Sequence, residues 1–395
     1  MRKLLPAFII SFFLLTGELA SAQKSVVFSE GNLTFALKTA KAQNKPVFLM
    51  SYATWCSHCN KMKKEVFNDA AVADFFTANF VNVWADGEQT EGISLKKRYQ
   101  LKSYPAFAFI DGDGEMLYKL SGEFTAAELI AEAKNALNPR LQLPYLEKQF
   151  NADPGNADKC LAYITTLLKG KNREELSVPT HKYLATQTDA QLLSETNWRI
   201  ISNGVSDISS REFQYVIKNK QKFEKLTSKQ RVDAKIKNIV TEYIRPSETK
   251  PDIKEYNKKR VVVKNMTLPE ADALLFKNDL QVAEMAEDWN FYKSVTTESI
   301  EKQAWNDAAL LKEISQNYYD HLSDTASLEM AAKWMEQSLK HSVTYDGKLL
   351  QAKLYRKAGR ANDASAAAKE AKNLAVEMGW DSKDADALLN EINAK

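Results

Sequence analysis

Hydrophobic residues follow three different patterns in turn along this chain. The first is an apolar run from Leu4 to Leu15, preceded by Arg2 and Lys3 and followed by the small residues Ala20, Ser21 and Ala22. A basic start, a short apolar middle and a small-residue end mark a secretory signal peptide, predicted over residues 1–22 with a cut after Ala22. The run is too short to span a bilayer comfortably. No later stretch approaches the ~20 apolar residues of a membrane helix, so no membrane insertion is expected after signal removal. No cysteine follows the small residues, which leaves a lipid anchor without an attachment atom.

The second pattern, over residues 23–138, mixes strand-length runs with helical faces. Val26 to Phe28 is a short strand candidate. Asn32 can cap a helix running to Gln43, with Leu33, Phe35, Ala36 and Ala40 on one face. Val47 to Tyr52 is continuously apolar and of strand length, the signature of a strand buried on both faces. A basic helix through Lys61, Lys63 and Lys64 follows, and Asn68 opens another with Val72, Phe75 and Phe76 inward. Phe80 to Trp84 alternates like a half-exposed strand, and Gly92 to Tyr99 reads as helix. Ala106 to Ile110 and Glu115 to Leu120, joined by Asp111-Gly112-Asp113-Gly114, predict a hairpin. Thr125 and Glu128 form a capping box for a closing helix carrying Leu129, Ile130 and Leu137.

In the third pattern, beyond a proline-flanked linker at residues 139–143, alternation stops and helical periodicity takes over through residues 144–395. Leu310, Ile314 and Tyr318 form one buried face, Ala331, Met335 and Leu339 another, and Leu274, Leu275, Val282 and Met285 a third. Pro246 to Pro251 breaks the array. Lys258-Lys259-Arg260 precedes a possible strand at Val261 to Val263. Trp198, Trp289, Trp305, Trp334 and Trp380 are expected as packing anchors, and Cys160 as a buried thiol behaving like a small apolar residue. Composition agrees with a helical chain: 13 glycines and 10 prolines in 395 residues are about half the usual share. A formal net charge of +3 points to no nucleic-acid or membrane partner.

Reactive side chains meet a demanding spacing at one place, Trp55-Cys56-Ser57-His58-Cys59. Two thiols three positions apart can close a small disulfide. On one helical turn Cys56 would sit at the N-terminus, where unpaired N–H groups and the dipole favour its thiolate. Cys59, one turn further in, is placed to resolve a mixed disulfide. His58 adds a donor or cation beside Cys56, which would stabilise the reduced form and make the pair somewhat oxidising. A CxxC is also half of a zinc site, but a closed site needs about four ligands, and Cys160, His181, His321 and His341 are scattered. A c-type haem needs histidine directly after the second cysteine, where Asn60 stands. No metal or other cofactor is therefore expected.

These residues resemble the thioredoxin superfamily over about Val26 to Leu137: a WCxxC at the end of a buried strand, a parallel βαβ half, an x-Pro opening a hairpin, and a C-terminal helix. The run from Trp55 to Phe67 looks most like exported thioredoxin-like domains, including the C-terminal domain of the bacterial DsbD-type electron transporter. The resemblance implies a central mixed sheet flanked by helices, a cis Pro105 facing Cys56, and backbone groups of Tyr104 offered to an extended substrate. One position departs: the buried acid of thioredoxins, six residues before the first cysteine, is replaced by Met50, leaving His58, a water or Glu65 to handle the proton. The CSHC sequence resembles oxidases and isomerases while the flanks resemble reductive proteins, so both directions of electron flow stay open. Near 325–380 the helical region resembles a tetratricopeptide pair through Tyr355, Gly359, Ala364 and Ala371, without the bulky Trp and the final Pro.

The expected protein is an α/β thioredoxin-like domain followed by a large all-α, helical-repeat-like domain. Its expected activity is that of a periplasmic or secreted thiol-disulfide oxidoreductase that reduces or isomerises disulfides of exported proteins and is recharged by an upstream redox partner. Cys56 is the expected nucleophile, Cys59 the resolving thiol, Trp55 and His58 tune the pair, and Tyr104 and Pro105 bind substrate. The alternative is an interaction scaffold in which the helical array binds partners and the disulfide is structural.

Overall fold

The computed structural model describes residues 24–30, 32–246, 249–266, 268 and 271–394. The segment read as a signal peptide lies outside the described residues. The sheet-bearing part runs β1 (Ser29–Glu30), α1 (Leu33–Gln43), β2 (Val47–Tyr52), α2 (Ser57–Lys61), α3 (Ala70–Asn79), β3 (Val81–Asp86), α4 (Thr90–Arg98), β4 (Ala106–Ile110), β5 (Met116–Ser121) and α5 (Ala126–Leu137). The strand order is β1-β3-β2-β4-β5. β3 pairs parallel with both β1 and β2, while β4 pairs antiparallel with β2 and β5. The first strand is Ser29–Glu30 rather than Val26 to Phe28: Val26 instead donates its N–H to the Phe67 carbonyl at 2.8 Å.

Strand side chains alternate between faces, and β2 is apolar on both. Phe48 and Met50 enter one layer, with Val72 and Phe76 of α3 and Leu129 and Ala133 of α5. Val47 and Leu49 enter the other, with Ala36 and Ala40 of α1 and Leu95 of α4. β4 repeats the division, Phe107 and Phe109 against Ala106, Ala108 and Ile110. Phe48 is the hub of the first layer, its ring centroid 4.6 Å from Phe76, 5.1 Å from Phe109 and 5.5 Å from Phe107. A ring so enclosed is worth about 3–5 kcal/mol against alanine.

The residues expected as a linker, 139–143, lie inside a compact unit that continues to Lys229. Pro139–Leu141 forms a 3-10 turn, and Leu143 already begins the next helix, Leu143–Ala152. The reason is polar as well as apolar. Lys119 of β5, 2% exposed, pairs with Glu175 of helix Glu174–Leu184. Lys169 reaches Glu132 of α5 at 2.6 and 2.7 Å, and the same carboxylate accepts from the Tyr118 hydroxyl at 2.7 Å.

The second unit, Gln230–Lys395, is helical throughout its described residues. Helices Ala271–Ala286 and Trp289–Gln303, Ala308–His321 and Thr325–His341, and Tyr345–Lys357 and Ala361–Met378 follow as hairpins, closed by Lys383–Asn393. The first helix of each pair recurs at an interval a little longer than the ~34 residues of a tetratricopeptide. Val261 to Val263 is not strand: it lies in helix Ile253–Asn265 with Lys258, Lys259 and Arg260, whose Arg260 is drawn to the buried Asp279 carboxylate at 2.7 Å. Trp198 and Trp334 are buried and Trp289 and Trp305 pack partly buried against the core, but Trp380 is 55% exposed rather than a core anchor. No helix among the described residues is long and apolar enough to cross a membrane.

Removing one member of a buried ion pair strands the other, at about 3–5 kcal/mol, while replacing both with apolar residues is near neutral. Glu175→Ala should therefore lower the urea midpoint of the first unit strongly, and Lys119→Met with Glu175→Leu should recover most of it.

Candidate active site

β2 ends at Tyr52, and the chain turns through Ala53, Thr54 and Trp55 before α2. Cys56 is the N-cap of that helix, in extended backbone (φ −74, ψ 107), and its Sγ accepts the Cys59 N–H at 3.1 Å. The first thiol therefore takes the place a serine or aspartate usually holds, satisfying a backbone donor with sulfur. Cys56 and Cys59 are joined by a disulfide, Cα atoms 5.3 Å apart. Cys56 is the more accessible sulfur residue, 5% exposed against 0% for Cys59. Beyond Lys61 the helix widens for one turn, Met62–Val66, with the Phe67 N–H reaching back five residues to the Met62 carbonyl. That turn lets Met62, Val66 and Phe67 all enter the core under the pair.

The antiparallel register pairs Ser51 with Ala106, so Pro105 stands opposite the end of β2, on the side from which the chain leaves for Cys56. The Tyr104–Pro105 peptide is cis. Pro105 accepts the Gly122 N–H at 2.9 Å, whereas the backbone N–H and C=O of Tyr104 carry no hydrogen bond among the described residues. The Tyr104 ring stands edge-on to Trp55, centroids 5.9 Å apart, and Trp55 is 71% exposed. The Tyr104 hydroxyl accepts from Lys96 at 2.5 Å and donates to Glu88 at 2.7 Å. Burial first, then the bond to Glu88, pushes its pKa far up, so the phenol stays protonated.

His58 does not point a free ring at Cys56. Its Nδ1 meets Glu123 Oε2 at 2.6 Å, and Lys61 Nζ meets the other oxygen of the same carboxylate at 2.5 Å. The Lys61 bond first, then that of His58, draws the Glu123 pKa down. Glu123 was not legible as a site residue. It lies 65 residues from His58 in sequence, and only the fold of β5 back onto Pro105 through Gly122 brings it to α2.

Met50 is fully buried in the apolar cluster that holds both cysteines. Among the described residues the buried carboxylates are Glu212 and Asp279, neither of them in the sheet. Glu65, a candidate to replace the missing acid, is exposed on the widened turn. The other cysteine, Cys160, is fully buried in helix Ala157–Leu168, its thiol 3.9 Å from the Pro179 carbonyl. The remaining histidines are dispersed: His181 bonds Ser177, His321 stacks on Trp289 and His341 meets Gln337. No group of three or more potential metal ligands occurs among the described residues.

Residues 33–137 match the family model described as a thioredoxin-like domain, and the sheet and its helices have that fold. The thiol:disulfide interchange protein DsbD of Ralstonia nicotianae is 34% identical over 107 residues, covering 26% of this chain and 17% of that protein. Protein disulfide-isomerase A5 of Bos taurus is 29% identical over 122 residues, 31% of this chain and 22% of that one. The chain thus spans about a fifth of the curated relatives it matches. A solution structure described as a candidate disulphide-isomerase from Bacteroides thetaiotaomicron is 37% identical, covering 29% of this chain and 95% of that chain, with a TM-score of 0.28. The proteins whose names state an activity are of the thiol-disulfide exchange class.

Burial pushes the Cys160 thiol up to about 12, so it should be inert while folded. Iodoacetamide at mildly alkaline pH should label reduced native protein at Cys56 first, and Cys160 only after denaturation, as mass spectrometry of the digested protein can read.

Proposed function

We propose that this chain is an exported protein thiol-disulfide oxidoreductase. The observation that carries the reading is a disulfide whose first sulfur caps a helix, beside an exposed Trp55 and a Tyr104 backbone that makes no hydrogen bond among the described residues. A bridge needed only for stability requires neither neighbour. In the reductive direction the Cys56 thiolate attacks one sulfur of a substrate disulfide and expels the other as a thiolate, which takes up a proton. Cys59, deprotonated in turn, attacks Cys56 Sγ and releases the second substrate sulfur. Two electrons and two protons have then passed to the substrate, the Cys56–Cys59 disulfide remains, and an upstream dithiol protein must reduce it again. In isomerisation Cys59 is not needed: after the first step another substrate thiolate attacks the substrate sulfur of the mixed disulfide, closes a different bond and expels the Cys56 thiolate.

The N–H and C=O of Tyr104, without a hydrogen bond among the described residues, suit a substrate segment that lies down as an extended strand, main chain to main chain, with Trp55 covering its side. Tyr104 and Pro105 are the substrate-binding residues in this reading. The apolar start of the chain and the DsbD relatives support action outside the cytoplasm, in a periplasm or beyond. The hairpin series of the second unit supports a tetratricopeptide-like role in presenting or selecting protein partners. The scaffold reading, with a purely structural bridge, is favoured by no feature of the site.

Cys59→Ser should accumulate mixed disulfides through Cys56 in extracts of the producing cell, larger on non-reducing gels and collapsing with dithiothreitol. Cys56→Ser should trap none and should fall to background in insulin reduction. A trap that captures nothing, with Cys56 alkylated no faster than a free thiol, would sink the reading.

A further inference from the structure

Three polar side chains meet at the rim of the pair: His58 and Lys61 on α2, and Glu123 on the loop after β5. The loop is fixed from both ends. Gly122 donates to Pro105 at 2.9 Å, and the Phe124 N–H reaches Met62 Sδ at 3.4 Å, so Glu123 is held over the first turns of α2. One carboxylate oxygen takes His58 Nδ1 and the other takes Lys61 Nζ. The Glu123 side chain is 29% exposed, less than either partner, as expected of the hub of the cluster.

We propose that Glu123 is a positioning residue that holds the His58 ring and the Lys61 ammonium of α2 on its own carboxylate and so sets how oxidising the disulfide is. The proposal rests on the redox reading given above. Without a carboxylate there, the uncompensated Lys61 would add positive charge at the helix start that Cys56 caps, lower the pKa of its thiol and stabilise the reduced form. A more stable thiolate makes the disulfide a stronger oxidant. With Glu123 in place, Lys61 and Glu123 cancel, and the x-His dipeptide loses much of its oxidising influence. The sign does not depend on the proton carried by His58: removing Glu123 always makes the cluster more positive, and removing Lys61 always makes it more negative. The other charges near this cluster are Glu65 on the widened turn, which acts on Lys61, and Lys171, whose ammonium lies against Gly122. Both are unchanged in the comparison below.

The test is the pH profile of Cys56 alkylation in the reduced full chain, with the reduction potential measured in glutathione buffers. Glu123→Gln should move the alkylation midpoint to lower pH, raising the thiolate fraction below the midpoint by about threefold to tenfold, and should make the potential more oxidising. Lys61→Met, an exposed change that leaves the core untouched, should move both in the opposite direction. Glu123→Asp should restore the parental profile. Equal midpoints for Glu123→Gln, Lys61→Met and the parent, or shifts of the same sign, would overturn the proposal. A parent whose Cys56 shows no enhanced alkylation and traps no partner would instead overturn the redox reading itself, so the two failures are distinct.

Discussion

A strand with no polar face can only run through the middle of a sheet, and the site depends on that constraint. Val47, Phe48, Leu49 and Met50 are all fully buried, committed to helices on both sides, so β2 has one free end. The chain leaves it through Trp55 and must at once satisfy the open N–H groups of α2. Cys56 does this with its sulfur. Because β4 pairs antiparallel with β2, the residue before Ala106 comes to the same edge, and Pro105 with Tyr104 completes the surface.

The same apolar commitment shapes the electrostatics. Met50 places a thioether in the buried cluster that holds both cysteines, and an unpaired acid there, among Phe48, Met62 and Phe76, would carry a desolvation cost of several kcal/mol. Ionisable groups are therefore pushed to the rim, where His58, Lys61 and Glu123 share one cluster and Lys96, Tyr104 and Glu88 another. The floor beneath Cys59 is apolar, with Met50, Met62 and Phe76 in the same buried cluster.

Much of the sheet was legible because its signals are local. The continuous run at 47–52, the Asp-Gly-Asp-Gly hairpin turn and the Thr125/Glu128 capping box each correspond to an element within a residue or two. Errors fell where tertiary partners decide. Val261 to Val263 is β-branched yet helical, since Arg260 and Tyr256 on that helix must reach Asp279. The burial of Lys119 on the edge strand β5 carries no local signal either, because its partner Glu175 comes from a later helix. The proline-rich stretch at 139–143 looked like a boundary, yet the anchors at Lys119 and Lys169 hold the following helices against the sheet. Glu123 could not be read at all, because its partners lie in another element and only the hairpin's return to Pro105 unites them.

The most direct measurement of the central claim is the redox equilibrium of the folded chain in graded dithiothreitol or glutathione buffers, following the Cys56–Cys59 bond by alkylation and the fold by circular dichroism. The account predicts a bond reduced reversibly while the protein stays folded, at a potential above the roughly −300 mV that marks structural disulfides. A bridge that resists reduction until the protein unfolds would contradict it.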